Sequence, residues 1–547
     1  MHSRVGCSGN LRGVFGALLA LSLALPFVMA WLPIRTSMSH FLIEDLFYYL
    51  EGARNVVERG MVSLDGRNAT NGFHPLWMAV SIGVQWVLAG NGDGAVHALL
   101  TVSALAYAAF GYTLYRTLAT ASSATLALLF AVFVLLSYRL LAIAMGGLET
   151  PLSLLAVMLL VRFELQNGSR PASRSPLGLG LLLGFVALAR LDGLLLATLV
   201  LAWHLLRLRA SADAVPIRRS LSLAAPAGLV ALLMLLPWFA FSLHSSGVLL
   251  PNSWRARRIW LSPPWHSELG LWANLGEQAW FRARALIEPA HDVLNLLGVW
   301  PLTAPVTGGT RWLAILPLVA IGLALAVFLV KRGRRLLADP LGWIPVYLVA
   351  HCGFYVLHGS LSMRYAAPTI GPAFVLLARE IHARWGGPSH ALVLRRLQVA
   401  VCCLLASGVA GDLYSFSRGF GSSRWHPLHA ALRDDLAAWI ARSTPAAARI
   451  GSFNAGILSY YSQRPVTNLD GVMNDSVIPA LEERRLDAYI REQGITYLAD
   501  VRTQISDFMD SFSGRSDWRL DWEEMLSVSV PNIASVGAVD LVVLRRR

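Results

Sequence analysis

Glu44-Asp45-Leu46-Phe47-Tyr48-Tyr49-Leu50 stands shortly after the first apolar run of the chain, 14–32. That run is long enough to cross a bilayer, which takes about 20 apolar residues. Two adjacent carboxylates at a membrane edge cost free energy unless they have partners or a task. Neighbouring acids also repel one another, which raises the affinity of one for its proton. A carboxylate held in this way can act as a general base on a hydroxyl. The ordinary alternative is a solvated helix start, because acids favour the first turn of a helix.

The totals agree with a membrane setting. Of 547 residues 55% are hydrophobic and 14% charged, against about 25% charged in soluble domains. The net charge of +13 does not indicate nucleic acid. The arginines cluster between apolar runs and form no stripe with interleaved aromatics. Basic loops set orientation in a membrane and can hold anionic head groups. Cys7, Cys352, Cys402 and Cys403 lack metal-ligand spacing and read as small hydrophobes. Arg4 and Arg12 before the first run resemble a signal peptide, but the length favours a retained anchor. A single lysine, Lys331, among many arginines is the usage of a GC-rich genome, so a bacterial inner membrane is expected. The sequons at Asn68 and Asn167 then carry no weight.

Apolar segments fall near 14–33, 74–90, 95–116, 120–137, 148–163, 177–190, 191–208, 221–243, 312–331, 341–358, 364–381 and 395–412. Arginine clusters at 207–219, 331–335 and 395–396 mark cytoplasmic loops. Residues 34–73 and 244–311 then face the exterior. Twelve crossings from an internal N-terminus end inside, yet the last basic cluster sends the final span outward. One crossing is therefore miscounted. The region 91–147 is the place for it, with 138–147 as a short or half-inserted helix. The expected division is a membrane part, 1–414, and an external α/β domain, 415–547.

Within 34–73, Leu46, Tyr49, Leu50, Ala53, Val56 and Val57 share one helical face. This predicts a helix lying in the interface plane and ended by Gly60. In 244–311, six tryptophans accompany Arg255, Arg257, Arg258, Arg282 and Arg284, an interfacial belt or a set of lipid-phosphate contacts. Further on, 433–441 reads as helix and 448–453, 495–499 and 541–544 as strands.

Four more places could carry chemistry. His74 closes Thr70-Asn71-Gly72-Phe73 and opens the second span; it is a phosphate or hydroxyl donor, or a helix-capping residue. Glu149 in Gly147-Leu148-Glu149-Thr150 is an isolated acid at a helix mouth, or a cap. Arg190 and Asp192 split one long apolar run; they pair across a turn or face Glu149's cavity. His358, Arg364 and Tyr365 lie between two spans, where Arg364 offers a fork for phosphate or a head-group anchor. No phosphate-cradling or nucleotide motif is present.

This order of motifs resembles the GT-C superfamily of polyprenyl-phosphate-sugar-dependent glycosyltransferases. It is most similar to bacterial mannosyl- and arabinofuranosyltransferase-like members. The elements are the acidic pair, Leu64-Asp65-Gly66, Thr70 to Trp77, Gly147 to Pro151 and Arg190 to Gly193. Asn454-Ala455-Gly456, Tyr460-Tyr461 and Asn468-Leu469-Asp470-Gly471 resemble the exported domain of such proteins. The resemblance implies an α-helical polytopic bundle of about 12–13 spans with a small C-terminal α/β domain. It implies a catalytic acid at Glu44 or Asp45, with Asp45 favoured as base and Glu44 as orienting or metal-contacting partner. Many relatives carry Asp-Asp or Asp-Glu here. A divalent ion stays open, since family members differ in metal use.

The implied donor is a lipid-phosphate sugar, hexosyl or pentosyl, and the acceptor a glycan, lipid or protein. Arg364, His74 and His358 would meet the leaving phosphate; Glu149, Arg190, Asp192 and Tyr365 would complete the substrate site. The competing reading is a transporter or flippase of lipid-linked sugars, which would favour internal repeats; a scaffold of an envelope complex is the third.

Overall fold

The computed structural model describes residues 6–88, 92–167, 175–209, 217–261, 336–337, 339–357, 363–386, scattered positions in 392–410, and 426–532 and 537–547. The first half is a succession of helices: α1 (Gly6–Ala30), α2 (Ile34–His40), α3 (Asp45–Arg59), α4 (Pro75–Val87), α5 (Gly92–Ala121), α6 (Ala124–Leu135), α7 (Tyr138–Ala144), α8 (Thr150–Asn167), α9 (Pro176–Ala189), α10 (Gly193–Arg209), α11 (Ile217–Ser246) and α12 (Asn252–Leu261). Then come α13 (Trp343–Leu357), α14 (Met363–Ala366) and α15 (Ile370–Trp385). Each expected apolar segment in the described residues coincides with one of these. Segment 312–331 lies outside the described residues, and 395–412 largely does.

Among the described residues three helices are long and apolar enough to cross a membrane, with hydropathic stretches in α1, α5 and α11. The chain is an α-helical polytopic membrane protein. The stretch 138–147 is indeed a separate short element: α7 is bent 63° away from α6. In the bundle α5 packs against α1, α6 and α8, and α9 against α8, α10 and α11.

The C-terminal part is a small α/β unit. Strands β1 (Ile450–Ser452), β2 (Val466–Asn468), β3 (Tyr497–Val501), β4 (Trp522–Asn532) and β5 (Gly537–Arg546) form one sheet in the order β2-β1-β3-β5-β4. β1 lies parallel to β2 and β3, while β5 runs antiparallel to β3 and β4. The three strands legible in the sequence are β1, β3 and β5. β2 is too short to show a period, and β4 mixes acids with apolar residues because its faces are largely exposed. Helix α16 (His426–Ala431) continues through a wider turn, Leu432–Ala437, into Ala438–Ser443, which contains the expected helix at 433–441. Helices α17 (Ala455–Ser462) and α18 (Arg502–Phe512) flank the sheet.

This unit sits on the bundle, and that changes the reading of α3. The helix forms where its periodicity places it and ends at Gly60 with φ 74°. It does not lie open on an interface. Phe47 and Tyr48, off its expected inward face, are also buried. Phe47 packs on Tyr460 and Tyr461, each ring 5.5 Å away, and the Tyr48 hydroxyl accepts the Ala455 N–H at 3.3 Å. The helix is sandwiched because its second apolar face finds α17 in place of lipid.

Polar contacts fix the same junction. Asp475 accepts from Thr70 Oγ1 at 3.0 Å and Asn71 N at 3.3 Å. Thr467 donates to Asp65 at 2.7 Å. Asp93, at the start of α5, takes both Arg433 at 3.1 Å and Tyr461 at 3.0 Å. Gly72 lies directly under the Val472 carbonyl, where a Cβ would come within 1.9 Å of the oxygen. Gly72→Ala should therefore lift the C-terminal unit, costing about 1–3 kcal/mol as overpacking does. The expected readout is a lower melting temperature in detergent with faster proteolytic release of a C-terminal fragment; unchanged values for both would show that the junction yields freely.

Candidate active site

Four chain reversals meet beneath this roof. Asp45 opens α3, His74 precedes α4, Glu149 precedes α8, and Arg190-Leu191-Asp192 joins α9 to α10. Side chains lock these turns together. The Trp77 indole donates to the Gly147 carbonyl at 3.0 Å. Tyr49 OH accepts the His74 N–H at 3.0 Å. His74 Nδ1 accepts the Leu191 N–H at 3.3 Å, which turns Nε2 toward Glu149 at 3.6 Å. Asn71 bonds Ser242 at 2.8 Å, the Leu250 carbonyl at 3.1 Å and the Asn252 N–H at 2.7 Å, so the start of α12 is drawn to the same place. The Thr70 to Trp77 motif is mainly a clamp that delivers His74.

The result is a cavity of about 580 Å³ between bundle and C-terminal unit, lined by Asp45, His74, Glu149, Arg257, Arg364 and Tyr365 among others. Asp45, with its side chain 37% exposed, accepts from Arg364 Nη1 at 2.7 Å. Arg364 also donates to Tyr365 OH at 3.0 Å, and Arg257 donates to the same hydroxyl. The guanidinium carbons of Arg190, Arg257 and Arg364 lie 5.1, 5.3 and 5.0 Å from the Tyr365 ring centre, within cation–π range. Behind them Arg190, 1% exposed, binds Glu149 at 3.0 Å, both oxygens of Asp192 at 3.2 and 3.1 Å, and Tyr355 at 3.1 Å. Tyr355 stacks on Tyr365 at 4.5 Å.

Charges on this side nearly balance. Arg190 and Arg364 have carboxylates. Arg257 has none among the described residues, and its Nε is buried without a partner. Its neighbours are occupied elsewhere: Arg255 pairs with Glu482 at 2.5 Å, and Arg258 lies over Trp254. Among the described residues, Arg257 is thus an arginine in the site without a carboxylate partner.

The opposite wall is acidic. Glu44 is 7% exposed, and its Oε1 accepts the Gly456 N–H at 3.0 Å, at the start of α17. Burial raises its pKa well above the usual carboxylate range, and Asp500 and Asp45 add to the effect. Asp470 is pushed up to about 7, mainly by burial, with the Val472 N–H pulling the other way and Asp45 and Asp500 reinforcing the rise. His429 donates through Nδ1 to the Leu42 carbonyl at 2.9 Å; burial pulls it down to about 4, so it stays neutral at pH 7.

Sequence reasoning put Asp45, His74, Glu149, Arg364 and Tyr365 in one place, and they share one cavity. Arg190 and Asp192 pair across their turn; Arg190 also reaches Glu149, but the two line an adjacent pocket and not the cavity that Glu149 lines. The Glu149 side chain bonds Arg190 at 3.0 Å. Glu44 stands in the wall, not beside Asp45 as an open chelate, because its carboxylate closes the end of α17. His358 lies outside the described residues. Among the described residues no three His, Cys, Asp or Glu side chains converge in a way that could hold a metal ion. Among the described residues the donor set does not fit the divalent ion left open above. Tyr355, Gln504 and His429 were not singled out, and Arg257 and Asn454 were named only within longer groups. Asp470 stood inside a quoted motif, and Tyr355 follows His351 at helical spacing; nothing distinguished Arg257 from Arg255 and Arg258.

The fold has known counterparts. The archaeal oligosaccharyltransferase AglB from Archaeoglobus fulgidus, in complex with an inhibitory peptide and a dolichol-phosphate, aligns with TM-score 0.54 and 13% identity, over 96% of this chain and 74% of that one. ArnT from Cupriavidus metallidurans bound to undecaprenyl phosphate aligns with TM-score 0.52 and 15% identity, over 96% and 97%. The chain has a GT-C fold. Residues 424–538 match a family described as a domain of unknown function, DUF8728. No curated protein matches the chain.

The raised Asp470 sets a pH dependence. Folded, it keeps its proton to about pH 7; unfolded, it loses it near 3.8. Between those values the folded state binds more protons, so stability falls as pH rises, by up to about 1.4 kcal/mol per pH unit. Melting in detergent from about pH 5 to 7.5 should show that decline, and Asp470→Asn should flatten it. A profile identical to wild type would contradict the assignment.

Proposed function

We propose that this chain is a membrane glycosyltransferase that takes a sugar from a polyprenyl-phosphate donor, as a bacterial mannosyl- or arabinofuranosyltransferase does. The observation that carries the reading is the shared cavity, in which one half-exposed carboxylate, Asp45, faces an arginine cluster where Arg257 has no carboxylate partner among the described residues. Known proteins of similar fold are recorded with dolichol-phosphate and undecaprenyl phosphate, which supports a lipid-phosphate ligand here. The reaction takes place on the extracytoplasmic face of the inner membrane, with the C-terminal unit, 415–547, on that side and the acceptor a cell-envelope component.

The chemistry follows from the geometry. The donor phosphate seats on Arg257 and Arg364. Arg364 is Asp45's partner, so an arriving phosphate competes for that guanidinium and frees the carboxylate oxygen. Asp45 then takes the proton of the acceptor hydroxyl. The oxygen attacks the anomeric carbon, the bond from that carbon to the phosphate oxygen breaks, and the lipid phosphate leaves with the electron pair. Arginines already in place stabilise the departing charge without reorganisation, often the largest catalytic contribution. Tyr365, Tyr355 and Arg190 hold those arginines. His74 offers its Nε2 side to a phosphate or sugar oxygen.

Transfer from labelled polyprenyl-phosphate mannose and arabinofuranose, in membranes containing the protein, tests this. Asp45→Asn should lower turnover by roughly 10²–10⁴ with folding intact. Arg364→Gln and Arg257→Gln should each lower it by about 10²–10³. Persistence of transfer in both Asp45→Asn and Glu44→Gln would remove the catalytic assignment.

A further inference from the structure

The two walls of the cavity differ in chemistry. The bundle wall carries Arg257 and Arg364. The described lining from the C-terminal unit has no lysine or arginine; it presents Asn454, Asp470 and Gln504, with the Trp260 indole of α12 beside them. Asn454 follows β1, Asp470 follows β2, and Gln504 lies on α18 directly after β3. These are the carboxyl ends of the three mutually parallel strands, the edge at which open α/β sheets bind ligands.

Each group is held with capacity to spare. Asp470 is 8% exposed, and the influences that shift its carboxyl most, namely burial, the Val472 N–H, Asn468, Asp45 and Asp500, include no cation. Its turn is pinned from both sides: Trp260 donates to its carbonyl at 3.1 Å, and Asn468 accepts from Gly471 at 3.1 Å and Met473 at 3.2 Å. The carboxylate itself accepts the Val472 N–H at 2.8 Å. A carboxylate has about four acceptor positions, and a buried one lacking a cation is costly unless they are used. Gln504 Oε1 accepts from Asn454 at 2.7 Å, which leaves its NH₂ group as donor.

A fixed acceptor, a fixed amide donor and an indole suit a neutral ligand carrying several hydroxyls. Adjacent hydroxyls donate to the carboxylate and accept from the amide, while ring C–H groups lie on the apolar wall. An anionic ligand would meet the Asp470 carboxyl on a wall whose described lining carries no lysine or arginine. A peptide added as a strand would need a sheet edge, and the edges are β2 and β4, whereas the strands here present their ends. We infer that Asp470, Gln504 and Trp260 form an acceptor subsite for a neutral carbohydrate, the sugar hydroxyl being presented across the cavity to Asp45. This assigns a task to the domain of unknown function and rests on the transferase reading above.

The test is binding of methyl α-D-mannopyranoside and methyl α-D-arabinofuranoside to the full-length protein in nanodiscs, by saturation-transfer NMR. Methyl phosphate and N-acetylalanine methylamide serve as anionic and peptide controls. Undecaprenyl phosphate binding is measured in parallel. At least one glycoside should bind saturably, and Asp470→Ala and Gln504→Ala should each weaken it tenfold or more while leaving undecaprenyl phosphate binding unchanged. Gln504→Ala leaves the Asp470 turn intact and carries the test if the other variant does not fold. Glycosides no better than the controls, or binding unaffected by the variants, would overturn the subsite while the transferase reading stands. Failure of the wild-type protein to bind undecaprenyl phosphate would count against that reading, and the subsite would fall with it.

Discussion

Burying the Arg190 guanidinium is the constraint around which the site is arranged. An unpaired ion at that depth costs several kcal/mol, and only close, well-oriented partners offset it. Arg190 meets that requirement with Glu149, Asp192 and the Tyr355 hydroxyl, which come from the start of α8, the α9–α10 turn and α13. Three parts of the bundle are thereby held at one point. Tyr355 in turn supports Tyr365 by stacking, and Tyr365 gathers Arg257 and Arg364 through its hydroxyl. Like-charged side chains stay close only because a carboxylate and an aromatic face are built in beside them.

The second constraint is the roof. A single helix, α3, serves bundle and C-terminal unit at once, so Asp45 at its start is fixed relative to both. Glu44 makes the link direct: its carboxylate accepts the Gly456 N–H in the first turn of α17, where backbone N–H groups lack intrahelical partners. The acidic pair therefore divides its work by orientation. Successive residues at a helix start point in different directions, and here one carboxylate goes into the roof and the other into the cavity.

That division explains what could be read in advance. Apolar periodicity located the described helices, because lipid and core demand the same pattern over many residues. The break at α7 was legible as a short segment. Asp45, Glu149, Arg190 and Arg364 were legible because charged groups beside apolar runs need a reason. The sandwiching of α3 was not, since a helix buried on two sides and one lying on lipid use the same aromatic residues. Arg257 was not, because three arginines within four positions differ only in where the helix turns them. The polar wall at Asn454 and Gln504 was not, because amides at strand ends look like ordinary turn residues until a cavity is seen in front of them.

Placing cations on one wall and uncharged or acidic groups on the other has a consequence for order of binding. While the cavity is empty, Asp45 and Arg364 satisfy each other. A hydroxyl arriving first would find the carboxylate engaged. A lipid phosphate arriving first meets Arg257, which has no competing carboxylate among the described residues, and then draws on Arg364. The exchange replaces one ion pair by another, so it costs little, and it leaves Asp45 unpaired beside a hydroxyl-binding wall. Donor binding thus prepares the base, and a base prepared only in the presence of donor cannot activate water or acceptor idly. The same ion pair that stabilises the empty site is the one that the substrate must open.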